Sequence, residues 1–180
     1  FIVNNFAMAE KSVDDIMTDQ KFGSAGATIV VEEFLEGEEA SFIAMVDGLN
    51  ILPLATSQDH KAIGDGDVGL NTGGMGAYSP ASFVDDELQK KIMDEIMLPT
   101  VHGMANEGMP YRGFLYAGLM ISDQNEPKVL EFNCRFGDPE TQPIMMRLSS
   151  DLVELIQACF DETIESFPIK WDKRTALGVI

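Results

Sequence analysis

The chain has 180 residues, enough for one well-cored domain or two small lobes, and its 45% hydrophobic content is ordinary for a globular protein. Twelve basic residues stand against 30 acidic ones, a formal charge of −18. So acidic a chain lacks the basic footprint that nucleic acid or an anionic membrane surface requires, and an anionic substrate must be met by local cations or a divalent metal.

The first three residues, Phe1-Ile2-Val3, read as the middle of a strand, and residues 7–20 have helical spacing, with Met8, Val13, Ile16 and Met17 apolar. After a loop at 21–26, residues 28–35 form a β-branched run that predicts a strand. Strands at 40–46 and 51–57 flank Asp47-Gly48-Leu49-Asn50, a hairpin signal because Asp-Gly suits a tight turn. Residues 58–80 carry glycine at 64, 66, 69, 73, 74 and 76 with little periodicity, which predicts a long functional loop. An amphipathic helix follows over 85–107, bent or broken at Pro99. A second hairpin joins 113–122 to 128–133, and helices follow at 143–147 and 151–160, the latter with Asp151 near its start. The order is that of an α+β fold with largely antiparallel pairing. Residues 176–180 again read as a strand, so the chain is expected to be an excised piece of a longer protein.

Cys134 and Cys159 have no zinc spacing, sit in apolar contexts and read as buried thiols, which suits a reducing compartment. No apolar run has membrane-span length and no signal-peptide pattern opens the chain, so a cytoplasmic protein is expected.

Three constellations carry chemistry. Glu131 and Asn133 lie two apart in an apolar run, so on a strand they share a face and offer hard oxygen donors of the kind Mg²⁺ accepts. Arg135 and a Gly137 turn follow, and Asp138-Pro139-Glu140 reads as a helix N-cap, an N1 proline and an early acid. The same Glu-x-Asn pattern also fits a solvent-facing polar pair. Second, Glu32-Glu33-Phe34-Leu35 ends a strand whose free backbone groups could read an adenine edge, with Glu39 placed for ribose hydroxyls; an acidic strand end in solvent gives the same pattern. Third, Thr72-Gly73-Gly74-Met75-Gly76, preceded by Gln58-Asp59-His60-Lys61, can present backbone amides to an anion. It is no Walker loop, and a flexible surface loop has the same composition. His60 beside Asp59 fits a general base or a surface histidine, while His102 reads as structural.

Residues 31–42, 54–61, 71–80 and 131–142 together resemble the phosphoribosylamine–glycine ligase (glycinamide ribonucleotide synthetase) family of the ATP-grasp superfamily. The resemblance implies an ATP-grasp fold, a largely antiparallel sheet flanked by helices, present here as a partial domain over residues 1–180. An N-terminal domain and a lysine-bearing ATP lobe would precede residue 1, and a C-terminal domain would begin near 179. The implied chemistry is phosphorylation of the glycine carboxylate by ATP, then attack by 5-phosphoribosylamine, in de novo purine biosynthesis. Cofactors would be ATP and Mg²⁺ (or Mn²⁺). Glu131 and Asn133 match the metal ligands. Backbone groups of Glu32 and Leu35, with Glu33 beside them, match the adenine hinge and Glu39 the ribose contact. Asp59, His60, Lys61 and the Gly73, Gly74 and Gly76 loop match the substrate region. Arg135 would neutralise the acyl phosphate or a carboxylate, and Asp138 would hold the glycine amine. Tyr116-Ala117-Gly118-Leu119-Met120 has no acid where many ATP-grasp enzymes place a further ligand, leaving two protein ligands. Another ATP-grasp carboxylate–amine ligase, and a non-catalytic nucleotide-binding module, remain open.

Overall fold

The computed structural model describes residues 1–66 and 68–180 and divides into two compact units, Phe1–Leu35 and Glu36–Ile180.

In the first unit, α1 (Phe6–Val13) is capped by Asn5, whose side chain accepts the Met8 N–H at 2.9 Å, and runs on into a π turn at Asp14–Thr18. A 3₁₀ turn (Gly23–Ala27) follows, in which Gly26 packs against the Ile16 backbone. Ile16, Val13, Ile29, Val31 and Phe34 help to line a cavity of about 430 Å³. The strand expected over 28–35 does not form: the segment carries no ladder, and Val30 and Val31 are 80% and 85% exposed. β-branched residues make the backbone extended, but a strand also needs a partner, and none of the described residues pairs with this one. Nor does the expected strand at Phe1-Ile2-Val3 appear.

The second unit is built on an antiparallel sheet of order β2-β1-β7-β8, with β1 at Glu38–Asp47, β2 at Ile51–Pro53, β7 at Arg112–Ile121 and β8 at Pro127–Asn133. β1 and β7 are central and buried on both faces, so they read as continuous apolar runs. Phe42, Ala44 and Val46 face one core with Leu115, Ala117 and Leu119; Ile43 and Met45 face the other with Tyr116. Helical residues cover the first core. α2 (Asp86–Ile92), capped by the Asp85 carboxylate, passes through a π turn (Met93–Met97) into α3 (Leu98–Asn106). Pro99, which lacks an N–H, lies just past that π turn in the first turn of α3, where no N–H is needed, so the helix runs on through residue 99 without the expected break. α4 (Thr141–Arg147), α5 (Leu152–Phe160) and Ile164 cover the second core. Each fully buried Ile, Leu or Phe contributes about 1.5–3 kcal/mol.

Residues 58–80 are not the open loop their composition suggests. They hold β3 (Gln58–Asp59), β4 (Ala62–Gly64), β5 (Val68–Asn71) and β6 (Gly76–Ser79); β4 pairs with β5, and β6 pairs with both β3 and the distant β9 (Ala176–Val179). These strands are too short to show alternation, and the last partner comes from the far end of the sequence. The helix expected at Asp138 starts later, at Thr141, with Glu140 at the cap position and no capping bond from its side chain. Residues 138–140 form a turn instead, and Gly137 O accepts both the N–H and the hydroxyl of Thr141. Cys159 is buried as expected, but Cys134 is exposed, because β8 is an edge strand that ends one residue earlier. No helix among the described residues is long and apolar enough to cross a membrane.

Candidate active site

A cleft in the second unit, about 190 Å³, is lined by Asp59, Lys61, Thr72, Gly73, Tyr116, Glu131, Arg135, Asp138 and Glu140. One wall is β8. Its alternation puts Glu131 and Asn133 on one face, and Asn133 Nδ2 donates to Glu131 Oε1 at 3.0 Å. That bond does not use the Asn133 Oδ1 or the second Glu131 oxygen; Glu131 lines the cleft, and Asn133 lies beside it on the strand without lining it. Gly118 lies opposite Glu131 in the β7–β8 register, and a Cβ added there would stand 3.3 Å from Glu131 Cγ, so a larger residue would crowd that side chain. Arg135 and Asp138, both exposed, continue the wall past the strand end.

The other wall comes from the glycine-rich region. Asp59 and Lys61 share one side of their extended segment, while His60 between them stacks on the Tyr78 ring at 5.9 Å and does not line the cleft. Lys61 Nζ donates to Glu39 Oε2 at 2.8 Å and stands 3.9 Å from Asp59 Oδ1. Burial acts to lower the Lys61 pKa, but the Glu39 hydrogen bond and the charges of Asp59, Glu39 and Glu131 outweigh it and leave the amine more basic than usual. For Asp59 burial wins: it lifts the carboxyl to about 6 against the attraction of Lys61, with Glu140 and Glu39 adding to the rise.

Thr72 shapes the loop. Its N–H and hydroxyl both donate to Lys61 O, at 2.7 and 2.9 Å, and its hydroxyl accepts the Gly74 N–H at 3.1 Å. Of the expected glycines, Gly73 lines the cleft. Gly74, at φ +128°, lies so close to the 138–140 turn that an added Cβ would stand 2.5 Å from Pro139 Cδ; Gly76 is buried in β6 against Gly178. Glu32 and Glu33 are exposed and Leu35 half-buried on the extended segment of the first unit.

The floor of the cleft is the part that sequence reasoning missed. Glu140, read as an early helix acid, is 2% exposed, and its Oε1 accepts from the Ser41 hydroxyl at 2.7 Å. Ser41 Oγ lies 3.1 Å from the Tyr116 hydroxyl, so a relay from Tyr116 through Ser41 to Glu140 satisfies all three groups. Burial, and next the Glu140 charge, drive the Tyr116 phenol well above its ordinary range. Gly137 makes the arrangement possible, since any side chain there would overlap the Glu140 carboxylate. The available signal was a serine and a tyrosine inside otherwise apolar central strands, polar atoms that must find partners.

An oxygen-donor strand facing a glycine-rich segment across a small cleft of mixed charge, on an antiparallel sheet backed by helices, marks an ATP-grasp domain. The model of the phosphoribosylglycinamide synthetase ATP-grasp (A) domain matches residues 1–141, and the chain belongs to that family. It is 60% identical over 172 residues to the phosphoribosylamine–glycine ligase of Vibrio parahaemolyticus, covering 96% of this chain and 40% of that protein. The solved phosphoribosylamine–glycine ligase of Thermotoga maritima matches with a TM-score of 0.72 at 37% identity, over 82% of this chain and 37% of that one. An L-amino acid ligase from Bacillus licheniformis matches with a TM-score of 0.68 at 18% identity, over 99% of this chain and 41% of its own, a likeness of fold alone. The chain spans about 40% of the length of the curated relatives it matches.

Proposed function

We propose that the protein ligates glycine to 5-phosphoribosylamine through a glycyl phosphate, giving glycinamide ribonucleotide, ADP and phosphate. Family membership supports this reading. The observation that carries it is the cleft itself, where Glu131 on one wall shares about 190 Å³ with Lys61, Gly73 and Arg135.

The proposed nucleotide is ATP and the proposed metal is Mg²⁺ (or Mn²⁺), held by Glu131 and Asn133. The donor set fits: two hard oxygens on one exposed strand face suit an ion that keeps waters and takes phosphate oxygens as its remaining ligands. When bound, the ion supplies charge neutralisation at the phosphates. The protein contributes positioning and further charge. Arg135 offers a guanidinium for the acyl phosphate or a carboxylate, and Asp138 a carboxylate at the same rim for an amine. Lys61, fixed by Glu39, presents a positive charge to anionic oxygens, with the Gly73 backbone beside it. Glu39 keeps its second oxygen for ribose hydroxyls, and the extended backbone at Glu32, Glu33 and Leu35 is proposed for adenine. Gly74 and Gly76 serve by close packing. His60, stacked on Tyr78, is proposed to brace the Asp59–Lys61 segment.

The chain spans about 40% of the length of its curated relatives, so turnover is proposed for the protein at its relatives' length. The test is ADP release by that protein with MgATP, glycine and fresh phosphoribosylamine, each omitted in turn. Release that needs both supports the ligase; release with another acid or amine moves the chain to a sister ATP-grasp ligase.

A further inference from the structure

One buried charge in the second unit serves none of the roles above. Arg147, the last residue of α4, is 8% exposed, and its guanidinium is met by neutral acceptors. Nη1 donates to Ser79 Oγ at 2.9 Å and Nε to Arg174 O at 3.0 Å. Among the described residues no carboxylate lies within ion-pair distance of it; Asp172, whose charge favours the cation, is itself held by Arg174 at 2.6 Å. Burial holds the Arg147 pKa below the usual arginine range. A desolvated cation on neutral acceptors stabilises a fold less than an apolar side chain of similar size does. What the apolar side chain lacks is a planar fork of directed donors. Here the fork joins three segments, namely α4, β6 and the residues that lead into β9. Ser79 Oγ passes the linkage on by donating to Thr56 O at 2.7 Å, and the Asp172 N–H donates to Arg147 O at 2.7 Å.

We propose that Arg147 is a positioning residue for the ligation: it fixes β6, and through β6 the Asp59–Lys61 wall, at a set distance from the floor of the cleft. α4 has Glu140 at its cap position and ends on Arg147, about 10 Å further along. At that second end the guanidinium holds β6 at Ser79, the residue opposite Ala176 of β9. β6 in turn carries β3. Asp59 stands opposite Ala77, the His60 N–H donates to Gly76 O at 2.9 Å, and the Ser57 hydroxyl donates to Tyr78 O at 2.7 Å. Asp59 and Lys61 project from that segment into the cleft. One short helix thus sets the floor at its start and the wall at its end. Glu131 and Asn133 stand on β8, to which no hydrogen bond of Arg147 runs, so the metal side of the cleft is spared. The kinetic part of this proposal rests on the ligase reading.

The test uses the protein at its relatives' length and two variants. Arg147→Met keeps the volume without the donors, and Arg147→Lys keeps the charge without the fork. Ser79 retains Thr56 O as its acceptor and Arg174 is exposed, so Arg147→Met should fold with a urea midpoint at or above that of wild type. Its turnover per folded molecule, followed as ADP release, should nevertheless fall by about 30-fold or more, with KM for MgATP within about twofold. Arg147→Lys should lose turnover by a similar factor, because one ammonium does not reproduce the two directed bonds, and it decides the matter if Arg147→Met fails to fold. Wild-type turnover per folded molecule overturns the proposal, since any loss then only tracks the folded fraction and Arg147 is a structural residue. Amide exchange read by mass spectrometry does not depend on the reaction. Residues 57–61 should exchange about 10-fold faster in the variants, and α2 and α3 at the wild-type rate; unchanged exchange at 57–61 overturns the positioning role. If wild-type ADP release needs neither glycine nor phosphoribosylamine, the ligase reading falls, and the exchange measurement alone decides Arg147.

Discussion

The rim and the floor of the cleft are built by opposite means. At the rim, Glu131 and Asn133 come from one strand and Arg135 from its exit, so residue spacing alone sets their arrangement, and none of the three is buried. At the floor, Ser41, Asp59, Tyr116 and Glu140 come from four separate segments and are buried. A rim side chain answers to the ligand; a floor side chain answers to its neighbours first. Substitutions at the rim should therefore change activity without stability, and substitutions at the floor should change both.

The largest effect is expected from Glu131→Gln at full length. It removes one of two proposed metal ligands, and MgATP turnover should fall by about 1,000-fold or more, while stability changes by less than about 0.5 kcal/mol because the residue is exposed. Steady-state ADP release and a urea melt report the two quantities. Undiminished turnover would remove the metal assignment, and a large stability loss would show that rim and floor do not differ.

Next comes Ser41→Ala. It deletes the donor to Glu140 and the partner of Tyr116, leaving two buried polar groups unsatisfied, at a cost of about 2–4 kcal/mol. A urea midpoint close to wild type would mean that the relay is not a structural element. Gly74→Ala should cost about 1–3 kcal/mol, since it combines φ +128° with a Cβ 2.5 Å from Pro139 Cδ. The loop would lift from the 138–140 turn, and the Michaelis constants of the substrates should rise along with the loss of stability.

Asp59→Asn sharpens the comparison because removing a charge from the floor should raise stability, where removing one from the rim should not change it. Burial lifts the Asp59 carboxyl from 3.8 to about 6, so the folded state binds this proton more tightly than the unfolded state. Its contribution to stability is complete below about pH 4 and is lost as pH rises through 6. Asparagine escapes that penalty, so the variant should be more stable than wild type by about 1–3 kcal/mol at pH 7.5 and closely matched near pH 4. Denaturant melts across this range decide it, and a wild type with no stability gain on acidification, relative to the variant, would rule it out.

What could be read from the sequence follows the same division. The Glu131–Asn133 pair, the hairpin at Asp47-Gly48 and the capping acid Asp151 depend on residues a few positions apart, and the structure has all three. The strands within 58–80 were hidden because β6 takes its outer partner from residues 176–179. Residues 28–35 have strand chemistry but join no β-ladder among the described residues, which composition cannot reveal. Glu140 was mistaken for a helix-start acid because its true partner, Ser41, lies on β1 across a long separation in sequence.

The two cysteines give the smallest effect and probe the boundary directly. Cys134 follows Asn133 and is exposed; Cys159 is buried, its thiol donating to Val46 O at 3.1 Å and pushed up in pKa by burial. In the native protein a thiol-exchange reagent should therefore modify one of these two groups quickly and the other only on unfolding. Because Cys134 stands between a proposed metal ligand and Arg135, MgATP should slow its modification several-fold. A modification rate unchanged by MgATP would remove the nucleotide and its metal from this part of the rim, and with them the assignment of Glu131 and Asn133.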